Sequence, residues 1–93
     1  MSTIDLARPW ALSAGVALRP EPFGALAYHF GTRRLSFLKS RTLLSVVEAL
    51  DDHPTGLDAC RAAGVSDAEL PRYAQALGTL ADTQMIVERA VAA

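Results

Sequence analysis

Cysteine and histidine are scarce in this chain, which has one cysteine and two histidines among its 93 residues. A single cysteine cannot form an intramolecular disulfide. No pair among Cys60, His29 and His53 has the spacing of metal ligands, and no glycine-rich loop follows a strand and opens a helix. We therefore expect a protein that is not an enzyme and that uses no metal or cofactor.

Long apolar runs are also missing. No stretch of about 18 apolar residues could span a bilayer, and the N-terminus lacks a basic region followed by a long apolar one. The chain is 51% hydrophobic, which suffices for one domain with a modest core. These features predict a cytoplasmic protein that does not contact a membrane.

Charge of each sign is concentrated in one part of the chain. Residues 1–41 hold six basic and two acidic residues, for a net charge of +4, whereas residues 42–93 hold three basic and eight acidic residues, for −5. A solvated surface and a surface that complements a charged partner explain this distribution equally well.

Three short strands are predicted between Val16 and Leu38. Leu26, Tyr28 and Phe30 alternate with small residues and His29, a period of two that favours a half-buried strand with its large side chains inward and His29 toward solvent.

A two-residue type II′ turn is predicted at Gly31-Thr32, because glycine accommodates the positive φ of its first position. Residues 34–38 then return as the third strand, with Leu35 and Phe37 on one face that we interpret as core. Pro20 and Pro22 end the first strand, since proline has no N–H to donate.

Three helices follow, and each is marked by a cap. Ser40 precedes an apolar stripe of helical spacing, and Thr55 begins a second helix that Gly64 closes. Residues 66–69 form a capping box for the third helix, and Pro71 near its start predicts a tight or distorted first turn. Residues 85–87 are predicted to add a last short extended segment against the sheet.

The N-terminal residues lack a regular pattern. We interpret residues 1–12 as a flexible arm and residues 13–90 as the folded domain. Within this arm, Trp10 is expected to pack onto the sheet, because an exposed tryptophan is uncommon. Cys60 falls in the apolar pattern of the second helix and is expected to be a packed thiol.

The second and third helices resemble a helix-turn-helix, since a small residue at Cys60 is followed by Gly64-Val65-Ser66. A DNA-reading third helix needs basic side chains, but this one offers three acidic residues against Arg72 alone. A winged-helix DNA-binding regulator therefore stays as the alternative function, and no nucleic acid partner is expected. Self-association through exposed strand edges is a third possibility.

Two segments carry a more specific resemblance. Leu12-x-x-Gly15-Val16-x-Leu18-Arg19 resembles the opening of the pyrroloquinoline quinone peptide chaperone. Residues 17–40, ALRPEPFGALAYHFGTRRLSFLKS, are similar to the mycofactocin biosynthesis chaperones of the precursor-peptide recognition element family. This resemblance implies an α+β, winged helix-turn-helix-like fold of three N-terminal antiparallel strands followed by three helices. It further implies a non-catalytic chaperone that binds the leader of a ribosomally made precursor peptide by strand addition and delivers it to a radical S-adenosylmethionine maturase.

The resemblance also implies where the leader binds. In the family it lies antiparallel on the third strand, in the groove between that strand and the third helix, and helical periodicity adds residues from the helix. The expected peptide-binding residues are Arg34, Leu35, Ser36, Phe37, Leu38, Arg72, Tyr73 and Ala76. Among them, Leu38, Tyr73 and Ala76 are expected as pocket walls, and Arg34 and Arg72 as partners of acidic leader residues. Simple core packing is expected for the side chains of Leu35, Phe37 and Leu77, and Tyr73 is open between the two roles.

Overall fold

The computed structural model describes residues 3–89, which form two small antiparallel sheets and three helices. The strands are β1 (Trp10–Leu12), β2 (Val16–Glu21), β3 (Gly24–His29), β4 (Leu35–Leu38) and β5 (Ile86–Glu88), and the helices are α1 (Arg41–Ala49), α2 (Gly56–Ala62) and α3 (Leu70–Asp82). The predicted α+β class, with antiparallel strands and three helices, is confirmed, although the strands number five rather than three in this part of the chain. The winged helix-turn-helix assignment stays a prediction. None of the helices within residues 3–89 has the length and hydropathy that a bilayer crossing needs.

The larger sheet has the order β2-β3-β4, so β4 is an edge strand. Its register pairs Ala25 with Leu38, Leu26 with Phe37 and Tyr28 with Leu35. Gly24 begins β3 with a φ of 152°, and a Cβ atom there would lie 2.1 Å from the carbonyl oxygen of Leu38. Glycine is therefore required where β3 first approaches the end of β4.

The burial of the two sheet faces is the reverse of the prediction. Ala25 and Ala27 are buried, whereas Phe30 is exposed and Tyr28 is only partly covered. Leu35 and Phe37 are 53% and 57% exposed, so their assignment to the core was wrong. The alternation itself is present, but α1 packs on the face that carries the alanines, because their small side chains admit a helix at close range.

The turn between β3 and β4 also differs from the prediction. Arg33, and not Gly31, has a positive φ, at 62°. The side chain of His29 is the reason, because its Nδ1 accepts the backbone N–H groups of Gly31 and Thr32 at 3.0 and 3.2 Å. His29 is therefore partly buried and organises a longer turn, rather than facing solvent as expected.

The N-terminal residues that were expected to form an arm take part in the fold where the structure describes them. β1 pairs with β5 in a second, two-stranded sheet, so the predicted extended segment after α3 is confirmed but joins a different sheet. Trp10 is packed as expected, although against Gly56 at the start of α2 and not on the three-stranded sheet, with its Nε1–H donated to the carbonyl of Asp5. Three residues are too few to show a periodicity, which is why β1 was missed.

The helix caps lie at the residues that the sequence predicts. The hydroxyl oxygens of Ser40 and Thr55 accept the N–H groups of Leu43 and Asp58, at 3.0 and 3.1 Å. Gly64 has a φ of 89° after α2, as a C′ glycine should. The tight turn expected before α3 is a 3-10 turn at Asp67–Glu69, and Pro71 lies in the first helical turn, where no N–H donor is needed.

The core lies between the alanine face of the sheet and the helices. Cys60 is buried there, as predicted, and burial raises the pKa of its thiol. The largest fully buried side chains are Leu38, Leu50, Leu77, Met85, Ile86, Val46, Val47 and Cys60.

Candidate peptide-binding groove

A groove runs between β4 and α3, with the start of α1 as its floor. It consists of two adjoining cavities of about 380 and 420 Å³ that share Lys39, Leu43 and Ala76. We call this feature the groove, and its lining residues are Ser36, Phe37, Lys39, Ser40, Leu43, Arg72, Tyr73, Ala76, Thr79 and Leu80. Helical spacing explains the α3 wall, because positions three and four apart along a helix share one face.

One edge of β4 pairs with no other strand among residues 3–89. The N–H of His29 donates to the carbonyl of Arg34 at 3.0 Å, which marks a hydrogen-bonded pair of the β3–β4 ladder. Such pairs alternate along antiparallel strands, so Ser36 and Leu38 bond to β3, whereas the backbone groups of Leu35 and Phe37 point away from it. With one donor and one acceptor each, these two residues offer at most four hydrogen bonds to an added strand.

Backbone bonding alone would hold a peptide weakly. At about 1 kcal/mol net for each bond, four bonds correspond to roughly millimolar affinity before any ordering cost. Apolar side chains must therefore supply most of the binding free energy, and burying one leucine-sized side chain contributes about 1.5–3 kcal/mol. Leu43, Ala76 and Leu80 give the groove an apolar interior that suits such anchors.

The structure brings most of the predicted site residues together. Ser36, Phe37, Arg72, Tyr73 and Ala76 all line the groove. The position of Tyr73 is compatible with both expected roles, because its side chain is only 7% exposed yet still borders the groove.

Leu38 does not fit the pocket-wall role expected for it. Its side chain has no exposed surface, because it points inward from β4 into the core beneath the groove. It supports the groove from below, and a bound peptide would meet its neighbours Phe37 and Lys39 instead.

The two predicted arginines differ in their surroundings. Arg72 donates to the Glu69 carboxylate at 3.0 Å and lies over the Tyr73 ring, 5.6 Å from its centroid. Arg34 lies beyond the groove, bordering a separate cavity with Thr32, Asp82, Thr83 and Gln84. The hydroxyls of Ser36 and Thr83, 3.3 Å apart, separate the groove from this second cavity.

Five groove residues were missed by the sequence reasoning: Lys39, Ser40, Leu43, Thr79 and Leu80. Thr79 and Leu80 could have been found, since they follow Ala76 at the three- and four-residue spacing of one helix face. Lys39 lines both cavities and shows no ion pair within residues 3–89, which makes it a cation available inside the groove. No sequence signal distinguishes it from an ordinary solvated lysine.

The start of the α3 wall is held by a carboxylate. Glu69 accepts hydrogen bonds from the N–H and the hydroxyl of Ser66, at 3.2 and 3.0 Å. These bonds, together with the charge of Arg72, hold the pKa of Glu69 below its usual value.

No group of three histidine, cysteine, aspartate or glutamate side chains in the described residues could hold a metal ion. The groove offers an extended chain the outward backbone groups of β4, the apolar side chains of Leu43, Ala76 and Leu80, and the cation of Lys39.

Comparison with known proteins identifies relatives that are named as peptide chaperones. The model of the peptide chaperone MftB family matches residues 9–87. The peptide chaperone MftB of Mycobacterium ulcerans is 61% identical over 83 residues, which cover 89% of this chain and 76% of the relative. Its counterpart in Mycobacterium tuberculosis is 56% identical over 88 residues, covering 95% and 81%, and that of Mycolicibacterium smegmatis is 54% identical over 85 residues, covering 91% and 83%. No solved structure matches the chain significantly.

Proposed function

From the premise that this chain belongs to the MftB peptide chaperone family, we propose that it is a non-catalytic chaperone of mycofactocin biosynthesis that binds the leader of the precursor peptide. The leader adds as an antiparallel strand to the β4 edge and places apolar side chains in the groove. The observation that carries this proposal is the juxtaposition of an unpaired strand edge with an apolar groove along α3.

The charges around the groove select among leaders. Lys39 is available to an acidic leader residue, whereas Arg72 would first have to leave Glu69. Because the Arg72–Glu69 pair is exposed, exchanging one carboxylate for another changes the free energy of leader binding little. An apolar leader segment with an acidic residue near Lys39 therefore fits the groove.

Binding the leader serves delivery to a radical S-adenosylmethionine maturase. Holding the leader on the chaperone and the chaperone on the maturase keeps the core peptide near the reacting centre and raises its effective concentration. This role asks for no chemistry from the chaperone and is compatible with the burial of its one cysteine.

The test is calorimetric titration of the protein with a synthetic leader peptide of the mycofactocin precursor from the same source, comparing Phe37→Pro with Phe37→Ala. Both variants lose the aromatic ring, but only proline also removes the N–H that points away from β3. A leader carbonyl left without its donor costs about 1–3 kcal/mol, so Phe37→Pro should bind roughly 5- to 100-fold more weakly than Phe37→Ala.

Far-UV circular dichroism and thermal unfolding establish that both variants keep the sheet. Equal leader affinities in two folded variants would mean that the β4 edge is not used. A steep loss of affinity with added salt, together with binding to duplex DNA, would favour the regulator alternative.

A further inference from the structure

The outer face of the three-stranded sheet carries large apolar side chains that no described residue covers. We call the outer face the surface formed by Phe23, Leu26, Tyr28, Phe30, Leu35 and Phe37. Phe30 is 65% exposed and Phe23 is 47% exposed. Apart from Val87, every exposed large hydrophobic side chain within residues 3–89 belongs to this face.

These side chains form one continuous surface. The strand register places Leu26 opposite Phe37 and Tyr28 opposite Leu35. The rings of Tyr28 and Phe30 meet edge to face with centroids 5.0 Å apart, and those of Phe23 and Phe37 lie 6.2 Å apart. A cluster of this kind on a small domain is typical of a surface that another molecule covers.

Basic residues border the outer face. Arg19 is opposite Leu26 and therefore on the same face, where it pairs with Glu21 at 3.1 Å. Arg33 lies in the turn after Phe30 and has no ion pair within the described residues. The partner surface that complements this face is apolar at its centre and carries carboxylates around it.

A second copy of the chain does not meet that requirement. A symmetric contact would bring the same basic residues together on both sides of the interface. The acidic helical side could attract the basic face of another copy, but within residues 3–89 it exposes no large apolar side chain to cover the rings.

We propose that the outer face is the docking surface for a second, different protein, with an apolar surface bordered by carboxylates, and that this protein binds while the leader occupies the β4 edge. The two sites are separable because the leader uses the outward backbone groups of β4 and the groove, whereas the partner contacts side chains on the opposite side of the sheet. Leu35 and Phe37 contribute to both, since their backbone groups point away from β3, and the side chain of Phe37 also lines the groove.

The probe is the purified radical S-adenosylmethionine maturase from the same source, so the choice of partner rests on the proposed function. The test variant combines Phe30→Ser with Phe23→Ser, two exposed residues of the outer face that do not line the groove, and Phe30→Ser alone is the milder form. Val87→Ser is the matched control, because Val87 is 43% exposed but lies on β5 in the other sheet. We expect at least a 10-fold loss of maturase affinity in the double variant, a smaller loss in the single one, and a change within about two-fold in the control.

Leader affinity, measured on the same proteins, separates this inference from the proposed function. The double variant should bind leader within about two-fold of the wild-type affinity. If the leader never binds but the maturase still requires the outer face, the assignment of the docking surface stands, whereas simultaneous binding and the proposed function fail.

Three results would overturn the inference. The first is unchanged maturase affinity in a double variant whose circular dichroism matches that of the wild-type protein. The second is a concentration-dependent dimer, seen by sedimentation equilibrium, that Phe30→Ser dissociates. The third is binding to phosphatidylglycerol-containing vesicles that is lost in the variant while maturase binding is retained.

Discussion

The two faces of the three-stranded sheet differ in exposure, and along β3 they also differ in side-chain size. The inner face has Ala25, Ala27 and Leu38, all fully covered, whereas the outer face has aromatic rings and Leu35 in contact with solvent. Small residues are inside because a helix must approach the strands closely, and large ones are outside because no described element covers them. The comparison teaches that burial follows from what packs against a face, and not from the hydrophobicity of its residues.

The largest difference in the free energy of unfolding is expected between truncations of two neighbouring residues on opposite faces of β4. Leu38→Ala leaves a cavity beneath the groove and should cost about 2–5 kcal/mol in the free energy of unfolding. Phe37→Ala removes a larger but exposed ring and should cost less than about 1 kcal/mol. Urea unfolding followed by circular dichroism measures both, and similar costs would contradict the difference between the faces.

A smaller effect is expected from replacing an alanine by leucine on either face of the sheet. Ala27→Leu places extra methyl and methylene groups where α1 packs on β3 and should destabilise the protein by about 1–3 kcal/mol. Ala17→Leu adds them at an exposed position opposite Tyr28 and should stay within about 0.5 kcal/mol of wild type. Equal midpoints of urea unfolding for the two variants would mean that the inner face accommodates a larger side chain without strain.

The smallest effect concerns the helical wall that covers the inner side. The pKa of Glu69 is lowered in the folded protein by hydrogen bonds from Ser66 and by Arg72. Its stabilisation is therefore present above the unfolded pKa, about 4.3, and is lost as the pH falls through the lower folded value. Wild type should unfold at higher urea than Glu69→Gln near neutral pH, and this difference should shrink as the pH falls below the unfolded pKa.

The control for this pH dependence is Glu48→Gln, which removes an exposed carboxylate on α1 for which the structure shows no partner within residues 3–89. A pH-dependent difference of the same size in this variant would assign the effect to net charge and not to the bonds made by Glu69.

Features set by neighbours in the chain were predictable. The caps at Ser40 and Thr55 and the glycine at Gly64 need only a few adjacent residues to form, and each lies where its motif placed it. The turn after β3 was not predictable in the same way, because it depends on the His29 ring folding back onto two backbone N–H groups. Turn residues alone do not report such a contact.

The candidate groove was predicted in outline but not in its details. The resemblance to peptide chaperones indicated β4 and α3, and helical spacing supplied Arg72, Tyr73 and Ala76. The contribution of Lys39 and Leu43 depends on how α1 begins directly after β4, and the burial of Leu38 depends on the elements packed beneath it. These are relations between distant segments, for which a single sequence carries no direct signal.

The sequence by itself determined the alternation of large and small residues along the strands, the beginnings and ends of the helices, and the family to which the chain belongs. Each of these depends on local chemistry or on the order of residues. Only the tertiary structure decided which face of the sheet is buried, because a period of two has the same form for either face until a helix packs against one of them. In this protein α1 packs on the alanines, which leaves the aromatic face open.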